Sequence, residues 1–569
     1  MTVDLFTPGR IGALEVPNRI VMPSMTTRLA DAEGHVTDQS LAYYTTRARG
    51  GVGLITVEMA APERAGRHRR NELGIYDDRF LPGLRRLVDA LHRIGSQAAI
   101  QLGHGGGHTR AAVCGEAPIA PSAIPHPVLE IEQELVIPLE MTLERIEETT
   151  RAHVEAARRA RMAGFDCVEL HAAHGYLISQ FLCPYENRRQ DAYGGSLANR
   201  ARFGLDIILR IKAELPDFPV ILRFNANDYM PRGLGFEEAR QLAVWAAEAG
   251  ADALHVSAGH YRSLPSAEVM IPPMAYPEGV FLDYAAGIKN LVDIPVIAVG
   301  RLGDPARAAA AVAEGKADFV ALGRTLIADP DWPRKARAGR PVRRCLSCNT
   351  CVNEMRDGRP IGCLVNPAAG REMEFAAGRP PRGERIAVIG AGPAGLSYAA
   401  AVAPGNRVTL FERDEGPGGA FRLAGLAPRF QDVEAREAAL MAFIGELERA
   451  CREAGVEIRY GATIAPGSAE LAGFDRLVVA TGAGYRFGLG PLARWLLRGG
   501  WARRWPLQGL FEYPGLRAWF YVGARQGRGA AWRRAGRPDC PAIQVIGDAV
   551  RAGKAKPAIE NAVRAALWP

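Results

Sequence analysis

The chain has 569 residues, more than a single hydrophobic core usually organises, so two or three domains are expected. Hydrophobic residues make up 48% and charged residues 23%, which excludes a disordered or fibrous chain, and no apolar run of about 18 residues is present to cross a membrane. The formal charge is +8, and the opening MTVDLFTPGR lacks a basic stretch followed by an apolar one, so no secretory signal is read and a cytoplasmic protein is expected.

Eight apolar segments of strand length recur with helical periodicity between them. They are RIVM (19–22), VGLITVE (52–58), AAIQL (98–102), CVELH (167–171), VILRF (220–224), ALHVS (253–257), VIAVG (296–300) and FVALG (319–323). Buried strand alternating with amphipathic helix implies parallel pairing through right-handed crossovers, and eight repeats close into a (β/α)8 TIM barrel over residues 1–340. An open doubly wound sheet is the alternative. In such a barrel chemistry gathers at the C-terminal ends of the strands, which brings forward Ser24, Met25, Gln101, His171, Arg223, Gly300, Arg301, Gly323 and Arg324. The two Gly-Arg pairs follow the last two strands, where turn amides and a guanidinium suit a phosphate.

CLSCNTCVNEMRDGRPIGC, residues 345–363, holds four of the nine cysteines. A reducing compartment and an odd cysteine count argue against disulfides. Structural zinc usually draws two ligands from each of two knuckles. Here CxxCxxC (Cys345, Cys348, Cys351) is closed by the more distant Cys363, a pattern that wraps one side of a cubane, so a 4Fe-4S cluster is favoured over zinc. The stretch 341–383 is read as this cluster segment followed by a linker, GREMEFAAGRPPRGE (370–384), rich in Gly, Pro and charge.

Residues 384–569 open with IAVIGAGPAGLSYAAAVAPGNRVTLFER (386–413), a strand, a turn bearing Gly390, Gly392 and Gly395, an Ala-rich helix and a second strand ending in Glu412. The glycines permit a tight turn and close approach of a pyrophosphate to a helix N-terminus, and the carboxylate is placed to meet an adenosine ribose. A Rossmann-like, dinucleotide-binding domain is expected.

With VPNRIVMPSM (16–25), IQLGHGG (100–106), VELHAAHGYLISQFLCPYENRRQDAYGGSLANRARF (168–203), AVGRLGDP, ALGRTLIADP and the cysteines, residues 1 to 482 resemble the old yellow enzyme superfamily. The similarity is to its iron-sulfur branch of 2,4-dienoyl-CoA reductase, 2-enoate reductase and trimethylamine dehydrogenase. It implies FMN over the barrel mouth, the cluster beside it, and FAD or ADP on the C-terminal domain. Gln101 and Arg223 would contact the flavin ring, and Gly300, Arg301, Gly323 and Arg324 would hold its phosphate. In HAAHGY (171–176), His171 and His174 would hydrogen-bond a substrate carbonyl while Tyr176 protonates the carbon beside it. Two imidazole donors stabilise an enolate-like oxygen, and a phenol can protonate a developing carbanion. A metal-binding histidine pair, and rim packing for Tyr176, are the bland readings. Met59 and His171 stand where trimethylamine dehydrogenase has cage aromatics, and Met25 replaces its flavin-linked cysteine. An ene-reductase with non-covalent FMN is therefore expected, ahead of an N-methyl amine dehydrogenase and of a zinc-bearing scaffold without catalysis.

Only 86 residues follow ATGA (480–483), too few for the NAD(P)H-binding lobe that reductases of this branch carry there. IQVIGDAV (543–550) resembles the closing FAD strand, with Asp548 facing the flavin's ribityl region. Residues 491–537 hold ten arginines, no lysine, one acid (Glu512) and five tryptophans, a formal +9 that exceeds the charge of the whole chain. Such a stretch suits nucleic acid, an anionic membrane or an acidic partner, or is a plain solvated insertion. Nothing else in the chain reads bases. The expectation is an acidic redox protein or membrane-associated donor docking here in place of direct nicotinamide binding, with a homo-oligomer left open.

Overall fold

A computed structural model describes residues 4–126, 136–534 and 542–568. The tail of the Arg/Trp-rich stretch, 535–537, lies outside the described residues. The chain divides into two compact units, Met1–Arg344 with Cys351–Ile361, and Cys345–Thr350 with Gly362–Pro569.

In the first unit all eight expected strands form: β1 Ile20–Met22, β2 Leu54–Ala61, β3 Gln97–Leu102, β4 Cys167–Ala172, β5 Val220–Asn225, β6 Ala253–Ser257, β7 Val296–Ala298 and β8 Phe319–Ala321. Each pairs in parallel with the next, and β8 pairs with β1, so the sheet closes into a barrel and leaves no edge among these eight. Helices between the strands start where the sequence offers a cap. Thr37, Thr142, Ser196 and Asp304 each accept the backbone N–H three residues on, satisfying a donor the helix leaves open.

Alternate residues of the strands point inward, and their chemistry changes along the barrel. At the N-terminal end Val21, Leu54, Ala99, Cys167, Ile221, Ala253, Ile297 and Phe319 pack with Ile11 and Val16 of a hairpin, Gly9–Ile11 and Leu14–Val16, that closes this end. Burying each large aliphatic or aromatic chain contributes about 1.5–3 kcal/mol. Two residues further along the same strands the inward positions become Gln101, Glu169, Arg223 and His255, and beyond those His171, Asn225 and Ser257. The floor stabilises the fold and the top carries polar groups.

In the second unit β9 Arg385–Ile389, β10 Arg407–Phe411, β11 Glu457–Arg459, β12 Arg476–Val479 and β15 Ala542–Val545 form a parallel sheet in the order β11-β10-β9-β12-β15. The strand order reverses between β9 and β12, a switch point where such sheets take ligands. An antiparallel ribbon, β13 Ala483–Tyr485 with β14 Arg525–Gly527, brackets the helical part of the Arg/Trp-rich stretch. The linker read at 370–384 is more ordered than its composition suggested. Helix Glu372–Ala376 lies within it, and Arg371 and Glu374 pair with Glu560 and Arg564 of the C-terminal helix Ala555–Leu567.

Candidate active site

The top of the barrel holds a buried hydrogen-bond chain. Ser24 Oγ donates to Gln101 Oε1 (2.9 Å), Gln101 Nε2 to Glu169 Oε1 (2.7 Å), and His255 Nδ1 lies 2.7 Å from Glu169 Oε2. Burial alone would raise the Glu169 carboxyl, but His255, Arg223 and Gln101 outweigh it and hold the group below its ordinary value. Glu169 is thus a fixed buried anion beneath Arg223, whose Nη1 donates to the Ser24 carbonyl (3.3 Å). Arg223 Nε and His171 Nδ1 are buried without a hydrogen-bond partner. Such atoms cost about 1–3 kcal/mol each unless a bound polar group meets them, and a flavin ring fits that need.

His171, His174 and Tyr176 come together as the sequence suggested. His171 is the penultimate residue of β4, and the chain then turns through His174 in a left-handed conformation (φ 67°), which lays the two imidazoles 5.1 Å apart, edge to face. His174 Nε2 is 2.7 Å from Ser257 Oγ at the end of β6. Tyr176 stands 4.6 Å from the His171 ring. Burial first, then Arg223, drives both histidines well below their ordinary value, so they are neutral at physiological pH. Burial, then Tyr261, pushes the Tyr176 phenol well above its ordinary value, so it keeps its proton. The site therefore offers neutral donors and an undissociated acid.

The phosphate candidates lie at adjacent strand ends. Gly300 and Arg301 both have positive φ (115° and 54°), and a side chain on Gly300 would press to 2.8 Å of the Phe281 ring. A Cβ on Gly323 would fall 2.9 Å from Met25 Sδ, which brings Met25 to the same corner. Arg301 and Arg324 donate to the carbonyls of Met274 and Pro272, so both guanidiniums lean on one loop.

In the second unit the three glycines of the turn divide their work. A Cβ on Gly390 would lie 2.5 Å from the Ala480 carbonyl oxygen and one on Gly395 1.9 Å from that of Gly390, so these two permit backbone packing. A Cβ on Gly392 would meet nothing within 4 Å, at the N-terminus of the helix Pro393–Val402. That open cradle fits a pyrophosphate. Glu412 accepts the Ala391 N–H (2.7 Å) and the Asp414 N–H (3.0 Å), tying the turn to the end of β10. Asp548 receives Arg525 Nη2 (3.3 Å) from the ribbon, a partner the sequence did not suggest.

Ser347 and Asn349 both have positive φ, so the loop between the first thiols reverses twice. The Ser347 N–H donates to Cys345 Sγ (3.3 Å). Burial, then Cys345 and Cys348, push the Cys363 thiol up to about 12, so this sulfur resists ionisation until a metal centre supplies positive charge. The segment bearing Cys351 belongs to the barrel unit, where Ile361 N donates to the Thr27 carbonyl (2.9 Å) and Arg28 Nε to that of Met355 (2.7 Å) in the loop leaving β1.

Sequence reasoning missed Glu169, Asn225, His255 and Ser257, which strand parity with Gln101, His171 and Arg223 would have found. It also missed His68 and Glu72, in a loop after β2 that carries no periodic signal.

Residues 4–343 match the NADH:flavin oxidoreductase / NADH oxidase family, and residues 388–428 match an NAD(P)-binding Rossmann-like domain. An NADH oxidase of Thermoanaerobacter brockii is 40% identical over 489 residues, covering 84% of this chain and 73% of the relative. A cinnamate reductase of Clostridium sporogenes is 32% identical over 513 residues, covering 85% and 74%. A 2-naphthoyl-CoA reductase in complex with 2-naphthoyl-CoA shares the fold across 100% of both chains, with a TM-score of 0.89 at 24% identity. This chain belongs to the NADH:flavin oxidoreductase / NADH oxidase family and is a flavin-dependent oxidoreductase.

Proposed function

We propose that this family member reduces the C=C bond of an α,β-unsaturated carbonyl compound. The observation that carries the reading is the buried trio of neutral His171, neutral His174 and undissociated Tyr176 above an orphaned Arg223 Nε. The 32% identity to a cinnamate reductase supports an enoate or enone. Met59 lies beside His171, where a Cβ on Gly103 would touch both, so neither flank offers the aromatic wall that an alkylammonium cage needs.

FMN, when bound, supplies the hydride. Gln101 and Arg223 would hold its ring, Ser24 and Met25 would line it, and Gly300, Arg301, Gly323 and Arg324 would hold its phosphate. His171 and His174 donate hydrogen bonds to the substrate carbonyl oxygen and stabilise the charge that grows there. Tyr176 Oη delivers a proton to the α-carbon. Glu169 fixes Gln101 and offsets the Arg223 charge. Gly390, Gly392, Gly395, Glu412 and Asp548 would hold FAD or ADP. Cys345, Cys348, Cys351 and Cys363 would hold a 4Fe-4S cluster, a reading that rests on their spacing and on the tie between the Cys351 segment and the β1 loop.

Electrons would arrive from an acidic redox protein docking on the arginine-rich stretch, where Trp505 is 91% exposed beside Arg504, with Arg486 and Phe487 (87% exposed) just ahead of it in the chain. Anaerobic titration tests the chemistry: enones should reoxidise the reduced protein, whereas bleaching of the oxidised protein by N-methyl amines would overturn the reading. Turnover driven strongly by NADH and independent of salt, or flotation of the protein with anionic vesicles, would count against the docking site.

A further inference from the structure

His174 is held at its backbone and at its ring by the ends of the two strands that follow β4. Asn225 and Ser257 are register partners on β5 and β6. Asn225 Oδ1 accepts the His174 backbone N–H (3.3 Å), and Asn225 Nδ2 donates to Asp228 Oδ1 (2.8 Å) and to the Gly259 carbonyl (2.9 Å). The His174 carbonyl accepts the Tyr261 N–H (3.1 Å), where the chain makes an isolated bridge to His260. With the left-handed turn fixed in this way, the ring reaches across to β6, and Nε2 lies 2.7 Å from Ser257 Oγ. His174 is 8% exposed and Ser257 2%, so the pair is closed off from bulk water.

Burial, then Arg223, keeps the His174 ring neutral, with His171, His255 and His260 adding to the effect. A neutral imidazole carries one proton, and two placements are open to it. On Nε2 it would be donated to Ser257 Oγ, and the hydroxyl hydrogen would then have no acceptor, because Ser257 Oγ has no other hydrogen-bond partner among the described residues. A buried donor left unmet keeps its full desolvation penalty. On Nδ1 the proton leaves the Nε2 lone pair to accept from Ser257, and every hydrogen of the pair is used once a ligand meets Nδ1–H. His171 is not preset in this way, since its Nδ1 is buried without a partner.

We propose that Ser257 is a positioning residue that holds His174 in its Nδ1–H tautomer, which makes Nδ1 the atom that donates to the substrate carbonyl. This rests on the reading of the site as one for C=C reduction. With Nε2 occupied by Ser257, a ring that donates to the substrate does so from Nδ1. A donor whose proton is placed in advance meets the growing charge on the carbonyl oxygen without reorganising. The proton stays on His174 throughout, so the step consumes nothing.

The test uses the full-length oxidised holoprotein carrying isotope-labelled histidine, in which a long-range proton–nitrogen correlation spectrum separates a protonated from a bare ring nitrogen. The His174 signals, identified by their loss in His174→Ala, should show Nδ1 protonated and Nε2 bare. In Ser257→Ala both should move toward the average of the two tautomers, whereas Ser257→Thr, which keeps the hydroxyl, should leave them in place. Turnover is read by reducing the protein anaerobically with dithionite and mixing it with 2-cyclohexenone. Losing an oxyanion donor outright costs about 10²–10³-fold, so Ser257→Ala, which frees the tautomer but keeps the ring, should slow flavin reoxidation by about 10-fold to 100-fold. Ser257→Thr should restore the rate, and adding Ser257→Ala to His174→Ala should cost nothing further. Nε2–H on His174 of the unsubstituted protein would overturn the proposal whether or not Ser257→Ala folds. A Ser257→Ala protein with native flavin absorbance and an unchanged rate would overturn it too, and both results leave enone reduction intact. Failure of the unsubstituted protein to reoxidise with any enone would overturn the enone reading itself, and the donor role of Nδ1 with it.

Discussion

The barrel unit and the arginine-rich part of the second unit treat polar and apolar groups in opposite ways. Inside the barrel, Ser24, Gln101, Glu169, Arg223, His255, His171 and His174 are withdrawn from water and mostly bonded to one another, and the atoms left over, Arg223 Nε and His171 Nδ1 among them, suit a polar ligand. Between β13 and β14, Phe487, Trp495, Trp505, Tyr513 and Trp519 stand in solvent, with only part of the segment rooted. Leu497, Ala502 and Phe511 pack on Ala427, and Arg503 donates to the carbonyls of Gly425, Leu426, Ala427 and Ala435. A buried polar network requires an internal reason, which is chemistry; a solvent-facing aromatic patch requires an external one, which is a partner.

The contrast can be broken first at the cysteines. Replacing Cys345 and Cys348 with alanine should abolish bound iron and acid-labile sulfide while the barrel keeps its flavin, read by metal analysis and absorbance. Next in size is Gly395→Val, whose Cβ would sit 1.9 Å from the Gly390 carbonyl oxygen. It should eliminate nucleotide retention by the second unit, measured by equilibrium dialysis with ADP, and spare the barrel. Tyr176→Phe should slow enone reduction by about 10²–10⁴-fold, the usual worth of a general acid.

A smaller effect concerns pH and stability. Glu58 and Glu72 are both raised to about 7, mainly by burial, so the native state binds more protons than the unfolded chain between the ordinary carboxyl value and 7. Their contribution to stability is largest at low pH and is lost as pH rises through that window. Glu63 and Glu186, lowered to about 2 by His104 and His260 and their neighbours against the effect of burial, act in the opposite sense, and only as pH falls below the ordinary carboxyl range. Larger than either is the effect of His68, His108, His126, His171 and His174, which are held neutral mainly by burial while the unfolded chain takes up protons at their ordinary value. The unfolding midpoint should therefore be lower at pH 5.5 than at pH 7.5, and Glu58→Gln, which removes an opposing contribution, should widen the difference. Smallest of all, Trp505→Ser at a 91% exposed position should change stability by under about 0.5 kcal/mol while weakening partner-driven reduction, measured by stopped flow.

What the sequence showed tracks how local each signal is. The eight barrel strands were legible because strands buried on both faces read as short apolar runs, and HAAHGY and GAGPAG because their residues are contiguous. Glu169 and His255 required strand parity to be followed inward from positions already chosen. His68 and Glu72 were not legible, since a loop brings them to Tyr176 across 108 residues of sequence. The arginine-rich stretch was visible as composition, yet the ribbon that frames it was hidden, because its three-residue strands are too short for a periodic signal.

The most direct test of C=C reduction at His171, His174 and Tyr176 is isotope tracing with the reduced protein in D2O and 2-methylcyclohexenone. The account predicts saturated ketone with one solvent deuterium at the α-carbon in a single stereochemical sense, and a rate that collapses in Tyr176→Phe. Unreacted enone, or product formed equally fast by Tyr176→Phe with scrambled α-deuterium, would contradict it.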